Sequence, residues 1–328
     1  MDRRTFTRTL AAGLLVTPLI VKAQQPGKVY RIGYLHPATV QDPGRALPAL
    51  QQALADLGYV VDRNIKFVER FAGGKLDTLP GLAAELVALR VDIIVAVSPS
   101  AIRAARDATA TIPIVMAFSG EDPVKSGLVA SLARPGGNIT GMTSISSILA
   151  PKWIQLLQDA VPGIKRIAVL GSPVRLDHNE QVDVMQAAAQ PDGVRLQVVK
   201  VRDLEQYGPA FEEMTRQRAE AVIILSGPEF AQNLARLAEL AAMHRLPSLW
   251  QYREFVVAGG LLSYGPNIQD LSARAAIFVD KILKGADPGR LPVQQPTRYE
   301  MAINLNTAQA LGLTIPQSLL LRADELIH

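Results

Sequence analysis

Cysteine is absent from this chain of 328 residues. Disulfides, thiolate metal sites, cysteine nucleophiles and a lipid anchor on a cysteine are therefore excluded. Histidine is scarce: His36, His178, His244 and His328 are the only four, and none stands in an HExxH spacing. No Walker A sequence, no GxGxxG after a strand-like run and no GxSxG elbow is present. Aromatic residues make up 5%, and no apolar run beyond the amino terminus is long enough to cross a membrane. A strong charge imbalance is lacking too. The formal net charge is +4; residues 1–23 hold Arg3, Arg4, Arg8 and Lys22 against Asp2, a net +3, which leaves +1 for the rest. A nucleic-acid partner is not indicated.

What is present is an ordinary globular composition, 48% apolar and 20% charged, on a chain long enough for two domains with separate cores. Residues 1–23 have a positive start, an apolar run over 10–21 and a small-residue VKA ending, the three parts of a cleaved secretory signal. Arg3-Arg4 followed by Thr5-Phe6 is similar to a twin-arginine signal, with the general export route as the alternative. The expected location is the periplasm, with an uncleaved anchor as the lesser reading.

Residues 111–144 organise the remainder. A short apolar run, 114–118, ends in Ser119, Gly120, Glu121 and Asp122, and a breaker follows with Pro135, Gly136, Gly137 and Gly141 within seven residues. A strand that ends in such a loop offers backbone N–H groups and side-chain oxygens at the carboxyl edge of a sheet, where open α/β folds bind ligands. The breaker suits neither a helix nor a central strand. We read the loop as a binding lip and the breaker as the way into a second domain.

The rest of the chain alternates. Apolar runs at 30–35, 65–68, 92–97 and 114–118 are separated by leucines at helical spacing: Leu47, Leu50, Leu54 and Leu57, then Leu79, Leu82, Leu86 and Leu89. Beyond the breaker, runs at 167–170, 196–201, 221–225, 247–250 and 261–264 repeat the pattern, and a helix on Leu271, Ala275, Phe278 and Ile282 precedes a last strand at 298–305. Such alternation argues for an α/β fold of two doubly wound parallel-sheet lobes. We expect lobe 1 to take 28–142 plus about 266–328 and lobe 2 to take 143–265. Several strands would then cross between the lobes and form a multi-strand hinge, with Gly141, Thr143, Ser144 and Gly265 as its candidate residues.

Candidate ligand-binding residues are those at strand ends. His36 follows the first run; its alternative is a structural role. Ser98 and Ser100 open a helix after a buried strand, where N–H groups and the helix dipole suit a carboxylate, or where Ser100 merely caps the helix. Ser119, Glu121 and Asp122 sit on the lip, where a carboxylate could hold an ammonium or cap a turn. Ser172, Ser226, Glu229, Trp250 and Tyr264 occupy the matching places on the second lobe. The two aromatic rings would offer a flat apolar face with one polar atom, or belong to the core. Asp177-His178-Asn179-Glu180 reads as a solvated turn in preference to a metal site. No cofactor is expected.

Four segments go further than composition. The signal ending in AQQP, DPVKSGLVASLARPGGNITG, AGGLLSYGPN and INLNTAQALGLTIPQSLLLRADELI resemble the ABC-transporter substrate-binding protein family that includes the tryptophan/tyrosine-type binders. The resemblance runs over nearly the whole chain. It departs at Glu121, where a glycine commonly precedes DPV, so that a charge stands at the lip. The resemblance implies a type I periplasmic-binding-protein fold that closes on a small ligand and delivers it to a membrane permease with an ATPase. It also implies an amino acid ligand, with an aromatic carboxylate as the nearest competitor, and a monomeric, non-catalytic protein. An enzyme on two α/β lobes and a sensor for a separate membrane partner stay open as alternatives.

Overall fold

The computed structural model describes residues 28–39 and 46–328; the expected signal, residues 1–23, lies outside them. Two sheets carry the structure. The first holds β1 (Tyr30–His36), β2 (Ile65–Phe71), β3 (Ile93–Val97), β4 (Ile114–Phe118) and β5 (Ile139–Gly141) in the order β2-β1-β3-β4-β5, parallel throughout. Strand β3 is buried along its whole length because successive side chains go to opposite covered faces. Ile93, Val95 and Val97 join Leu50 and Leu54 of helix Ala46–Asp56, whereas Ile94 and Ala96 join Leu86 and Ile102 on the other side.

The second sheet holds β6 (Arg166–Gly171), β7 (Arg195–Lys200), β8 (Ala221–Ile224), β9 (Ser248–Trp250), β10 (Leu262–Gly265), β11 (Glu300–Asn304) and β12 (Glu325–Ile327). Its order is β12-β11-β10-β9-β8-β6-β7, and the β10–β11 pair is antiparallel. Val169 and Ile223 face helix Ala150–Ala160 through Leu156 and Leu157; Leu170 and Ile224 face Phe211 and Leu237 on the opposite side. Each sheet is thus sandwiched between helices.

The chain passes between the sheets between Gly141 and Ala150, between Gly265 and Ile268, and between Arg290 and Glu300. The first and third passages are tied together: Met142 bridges Gln294, Thr143 N donates to Gln294 O at 2.9 Å, and Gln294 N donates to Gly141 O at 2.9 Å. Gly141 has φ of 126°, and a Cβ there would collide with the Met116 carbonyl; at Gly265 it would collide with Gln251. Only glycine fits either place.

The tail corrects the expected lobe boundary. Helix Ile268–Leu283 does pack on the first lobe, through Leu271, Phe278 and Val279 against Leu50 and Leu54. Residues 300–327 do not. β11 pairs with β10, and Met301, Ile303 and Leu319 complete the second lobe's core. The physical reason is the open edge of β10, which the returning apolar strand closes with a ladder from Leu262↔Ile303 to Gly265↔Glu300.

Candidate functional site

The carboxyl ends of β1, β3 and β4 meet those of β8 and β9 across a cleft, and between them lies a cavity of about 80 Å³. The first lobe contributes mostly apolar wall, from Pro37, Val97, Pro99 and Phe118; the second contributes Arg175, Asp177, Gln181, Ser226, Trp250, Gln251 and Tyr252. The lobes touch around it. Phe118 meets the Tyr252 ring edge-on at 5.7 Å between centroids, and Lys125 Nζ reaches Glu180 Oε1 at 2.7 Å.

Of the residues expected at the site, His36, Ser98, Ser226 and Trp250 line the cavity. His36 Nδ1 accepts from Ala38 N at 3.0 Å, and its ring stacks on Tyr34. Ser98 has a left-handed backbone, φ 74°, just after a register shift at the end of β3, and its hydroxyl is 3.0 Å from that of Ser100. That turn aims Ser98 into the cleft. The helix begins at Ser98 itself and no side chain caps it, so Ser100 is not its cap. Trp250 packs edge-on against Tyr252 and Phe255, and its indole N–H is buried with no protein partner.

The other candidates stand off the wall. The Ser119 carbonyl accepts from Ser144 N at 2.7 Å and from Ser144 Oγ, which joins the loop after β4 to the passage between the sheets. Thr143 Oγ1 donates to Glu121 O at 2.9 Å in the same joint. Asp122 Oδ1 accepts from Val124 N at 2.9 Å and closes a turn. Ser172 N donates to His178 Nδ1 at 2.9 Å. The Glu229 backbone oxygen accepts from Tyr207 and Asn233, and its carboxylate lies behind Gly227. Tyr264 packs against Tyr299, its carbonyl accepts from Trp153 Nε1 at 2.8 Å, and it belongs to the second lobe's core. Glu121 is buried and paired with Arg103; burial pushes its carboxyl above the usual range, and Arg103 only partly offsets that.

The segment Asp177-His178-Asn179-Glu180 is corrected. It is neither a solvated turn nor a metal cluster: it is the first turn of helix Leu176–Ala189, with Asp177 and His178 buried. Its members have separate partners, namely Arg175, the Ser172 and Ser226 backbones, Lys200 and Lys125 respectively. Among the described residues no group of His, Asp or Glu is arranged to hold a metal, and no helix is long and apolar enough to cross a membrane. Burial, then the Arg175 charge, lowers the His178 pKa to about 4, so the ring is neutral at neutral pH. With Nδ1 accepting from Ser172 N, Nε2 must carry the proton it donates to Ser226 O at 2.9 Å. The ring therefore clamps the loops after β6 and β8 together.

Arg175 and Asp177 were missed as site residues. Arg175 Nη2 donates to Asp177 Oδ2 at 2.6 Å, and both side chains are less than a tenth exposed. Burial opposes ionisation of Asp177, but Arg175 and the hydrogen bonds it receives hold its carboxyl below the usual range. Asp177 and Gln181 lie one helical turn apart on one buried face. A polar helix directly after a strand end was the available signal. Gln251 and Tyr252 also line the cavity, in the loop directly after Trp250, the last residue of β9, where the apolar run in the sequence ends.

A model of the family described as ABC transporter substrate binding protein matches residues 38–327. A tyrosine-binding protein of Clostridioides difficile (strain R20291) is 26% identical over 262 residues, which covers 80% of this chain and 75% of that protein. Among solved structures, the ABC domain in complex with L-Trp from Streptococcus pneumonia has a TM-score of 0.84 at 26% identity, covering 92% of this chain and 100% of that one. A conserved domain protein from Vibrio cholerae has a TM-score of 0.86 at 24% identity, covering 91% and 100%. The two lobes have the architecture of the type I periplasmic binding proteins. Because one family model spans both lobes, the passages between them and the cleft walls from Ala38 onward, the chain belongs to the ABC transporter substrate binding protein family.

Proposed function

We propose that the cleft takes a small organic molecule with an apolar body and a charged head, an amino acid or an aromatic carboxylate. Closure of the lobes then presents it to a permease served by an ATPase. The observation that carries this reading is the cavity itself, enclosed between two lobes, with aromatic and aliphatic walls and one buried Arg175–Asp177 pair. Small-ligand sites have this composition, mostly apolar with a few placed polar groups. The relatives support it, one being named for tyrosine binding and another holding L-Trp. In this reading ligand shifts a population of open forms toward the closed one.

The protein acts without catalysis. His36 Nδ1 and both ring nitrogens of His178 are engaged with backbone groups. Export by the cleaved signal of residues 1–23 brings it to the periplasm, where it works as a monomer. The test is a thermal-shift screen of the purified chain against amino acids, aromatic acids, nucleosides and sugars. A ligand that binds only the native state at a hundred times its Kd adds about 2.7 kcal/mol of stability. Amino acids or aromatic acids should raise the midpoint. Shifts confined to sugars or nucleosides would overturn the ligand class, and no shift with any class would overturn the binding reading.

A further inference from the structure

At Glu121 this chain departs from the segments it resembles, and the structure encloses the added charge between the lobes. The loop that carries it, residues 119–125, is packed at the lobe boundary. Phe118 before it meets Tyr252, Gly120 lines the cavity, and Lys125 at its end reaches Glu180 of the second lobe at 2.7 Å. The Glu121 side chain is buried and stands off the cavity wall. Its two carboxyl oxygens are served unequally: Oε2 accepts from Arg103 Nη1, whereas Oε1 is buried with no protein partner. Ser119 and Thr143 bond its backbone and leave the carboxyl alone.

The charges facing Glu121 come from both lobes. Helix Ser98–Ala108 supplies Arg103, which is partly exposed. The second lobe supplies Arg175 and Asp177, which are bonded to each other. Across the boundary Asp177 repels the carboxylate by more than Arg175 attracts it. Its own loop supplies Asp122, folded back on the Val124 and Lys125 N–H groups, and Lys125, held by Glu180. The passage over residues 143–146 brings hydroxyls and no titratable group. Closing the lobes thus strips water from a carboxylate and sets a second carboxylate against it, while its cation stays on its own lobe. Both changes disfavour the ionised form, and a carboxyl that is easier to bury neutral takes up a proton from solvent. Oε1 is the oxygen open to it, because Oε2 remains with Arg103.

We infer, resting on the reading of the chain as a binding protein whose lobes close, that closure is proton-linked through Glu121: the carboxyl is protonated as the lobes meet, so that acid favours the closed form and rising pH opens it. In the open form the loop faces water and Glu121 titrates near its ordinary 4.5; in the closed form burial holds it higher, with Arg103 offsetting only part. Below 4.5 the carboxyl is protonated in both forms, and closure is indifferent to pH. As pH rises from 4.5 through the closed-form value, only the closed form keeps its proton and closure weakens. Above that value both forms are ionised, and closure is at its weakest. Asp177, held below its usual range, stays ionised throughout.

The absence of native cysteine makes closure directly measurable. Dyes at Gln52→Cys on the first lobe and Glu212→Cys on the second occupy exposed positions off the cavity wall. Single-molecule energy transfer between them gives the closed fraction from pH 4.5 to 7.5, without ligand and with L-tyrosine or L-tryptophan. Calorimetry of both amino acids in buffers of different ionisation enthalpy counts the protons taken up on binding. In the parent, affinity should weaken by about tenfold across the range, an ordinary size for coupled equilibria, with net proton uptake. Glu121→Gln should bind with one affinity throughout and take up no proton. Glu121→Gly is the second variant, with the same expected loss of pH dependence, should Glu121→Gln not fold. A parent affinity that is constant over the range, proton release on binding, or a pH dependence retained in the variants overturns the inference. If neither amino acid binds, the ligand reading is at fault, and the unliganded closed fraction decides. A fraction that falls with rising pH in the parent alone sustains the linkage, and one indifferent to pH in the parent overturns it.

Discussion

Two ion pairs flank the cleft, Arg103–Glu121 on the first lobe and Arg175–Asp177 on the second, and they hold their carboxylates in opposite directions. In the first, the Glu121 side chain is 7% exposed but that of Arg103 is 32% exposed. Solvent screens the guanidinium, so burial of Glu121 outweighs the attraction and its pKa rises. In the second, the side chains are 8% and 5% exposed. Burial of Asp177 is as severe, yet its pKa falls, because the charge beside it is as enclosed as it is and acts through a medium of low polarity. The state of a buried carboxylate thus depends on where its cation stands. That contrast also fits their places: Asp177 lines the cavity, and Glu121 lies behind it.

The contrast breaks most severely at Arg175. Arg175→Leu leaves Asp177 buried beside no cation, and removing one member of a buried pair costs about 3–5 kcal/mol. Arg103→Leu leaves a partner whose charge is already disfavoured, and the removed cation was a third exposed; a loss nearer 1 kcal/mol is expected. Urea denaturation at neutral pH compares the two variants. Equal losses would show that the pairs do not differ in the way their burial indicates.

A pH series sharpens the same contrast, since the two carboxylates act with opposite sign. Asp177, lowered from 3.8 when folded, contributes stability that is present above 3.8 and is lost as pH falls through its lower folded value. Glu121, raised from 4.5 when folded, holds its proton more tightly in the native state. It costs nothing below 4.5, and stability is lost as pH rises from 4.5 through its folded value. Glu121→Gln should therefore remove a decline that the parent shows above pH 4.5, an effect smaller than that of Arg175→Leu. Denaturation midpoints from pH 3 to 7 measure it. Parallel curves for parent and variant would mean that Glu121 titrates as in the unfolded chain.

The alternation of apolar runs with leucine stripes was enough to read two α/β lobes, because β3 and β4 are buried on both faces and carry no polar residue to confuse the period. The passage between the sheets after β5 was legible for a related reason. Gly141 stands where any side chain would strike Met116, and such positions leave glycines in the sequence. The tail was not legible. Residues 298–305 read as a strand, but which open edge it pairs with depends on β10, and nothing local encodes that. The cavity wall was legible only in part. Strand ends led to His36, Ser98, Ser226 and Trp250, but Tyr264 and Ser172, also at strand ends, turn to the core and the backbone. Arg175 and Asp177 were obscured because a charge pair beside a histidine looks the same in sequence whether it is solvated or enclosed.

A third ion pair completes the comparison and has the smallest expected effect. Lys125 on the first lobe reaches Glu180 on the second at 2.7 Å, with side chains 68% and 30% exposed. Glu180 also accepts from Ser147 Oγ at 3.3 Å, so its carboxylate is positioned even without the lysine. An exposed pair of this kind is screened by salt and contributes little to folding. Its members lie on different lobes, however, so whatever it contributes is present in the closed form and absent once the lobes part. Lys125→Ala should leave the urea midpoint unchanged and speed ligand dissociation by at most a few-fold. Added salt should speed dissociation from the parent to about the variant's rate and leave the variant itself nearly unaffected, because screening can act only on a pair that is present. Dissociation from parent and variant that responds identically to salt would show that Lys125 does not hold the lobes together, and retention would then rest on the apolar contact of Phe118 with Tyr252.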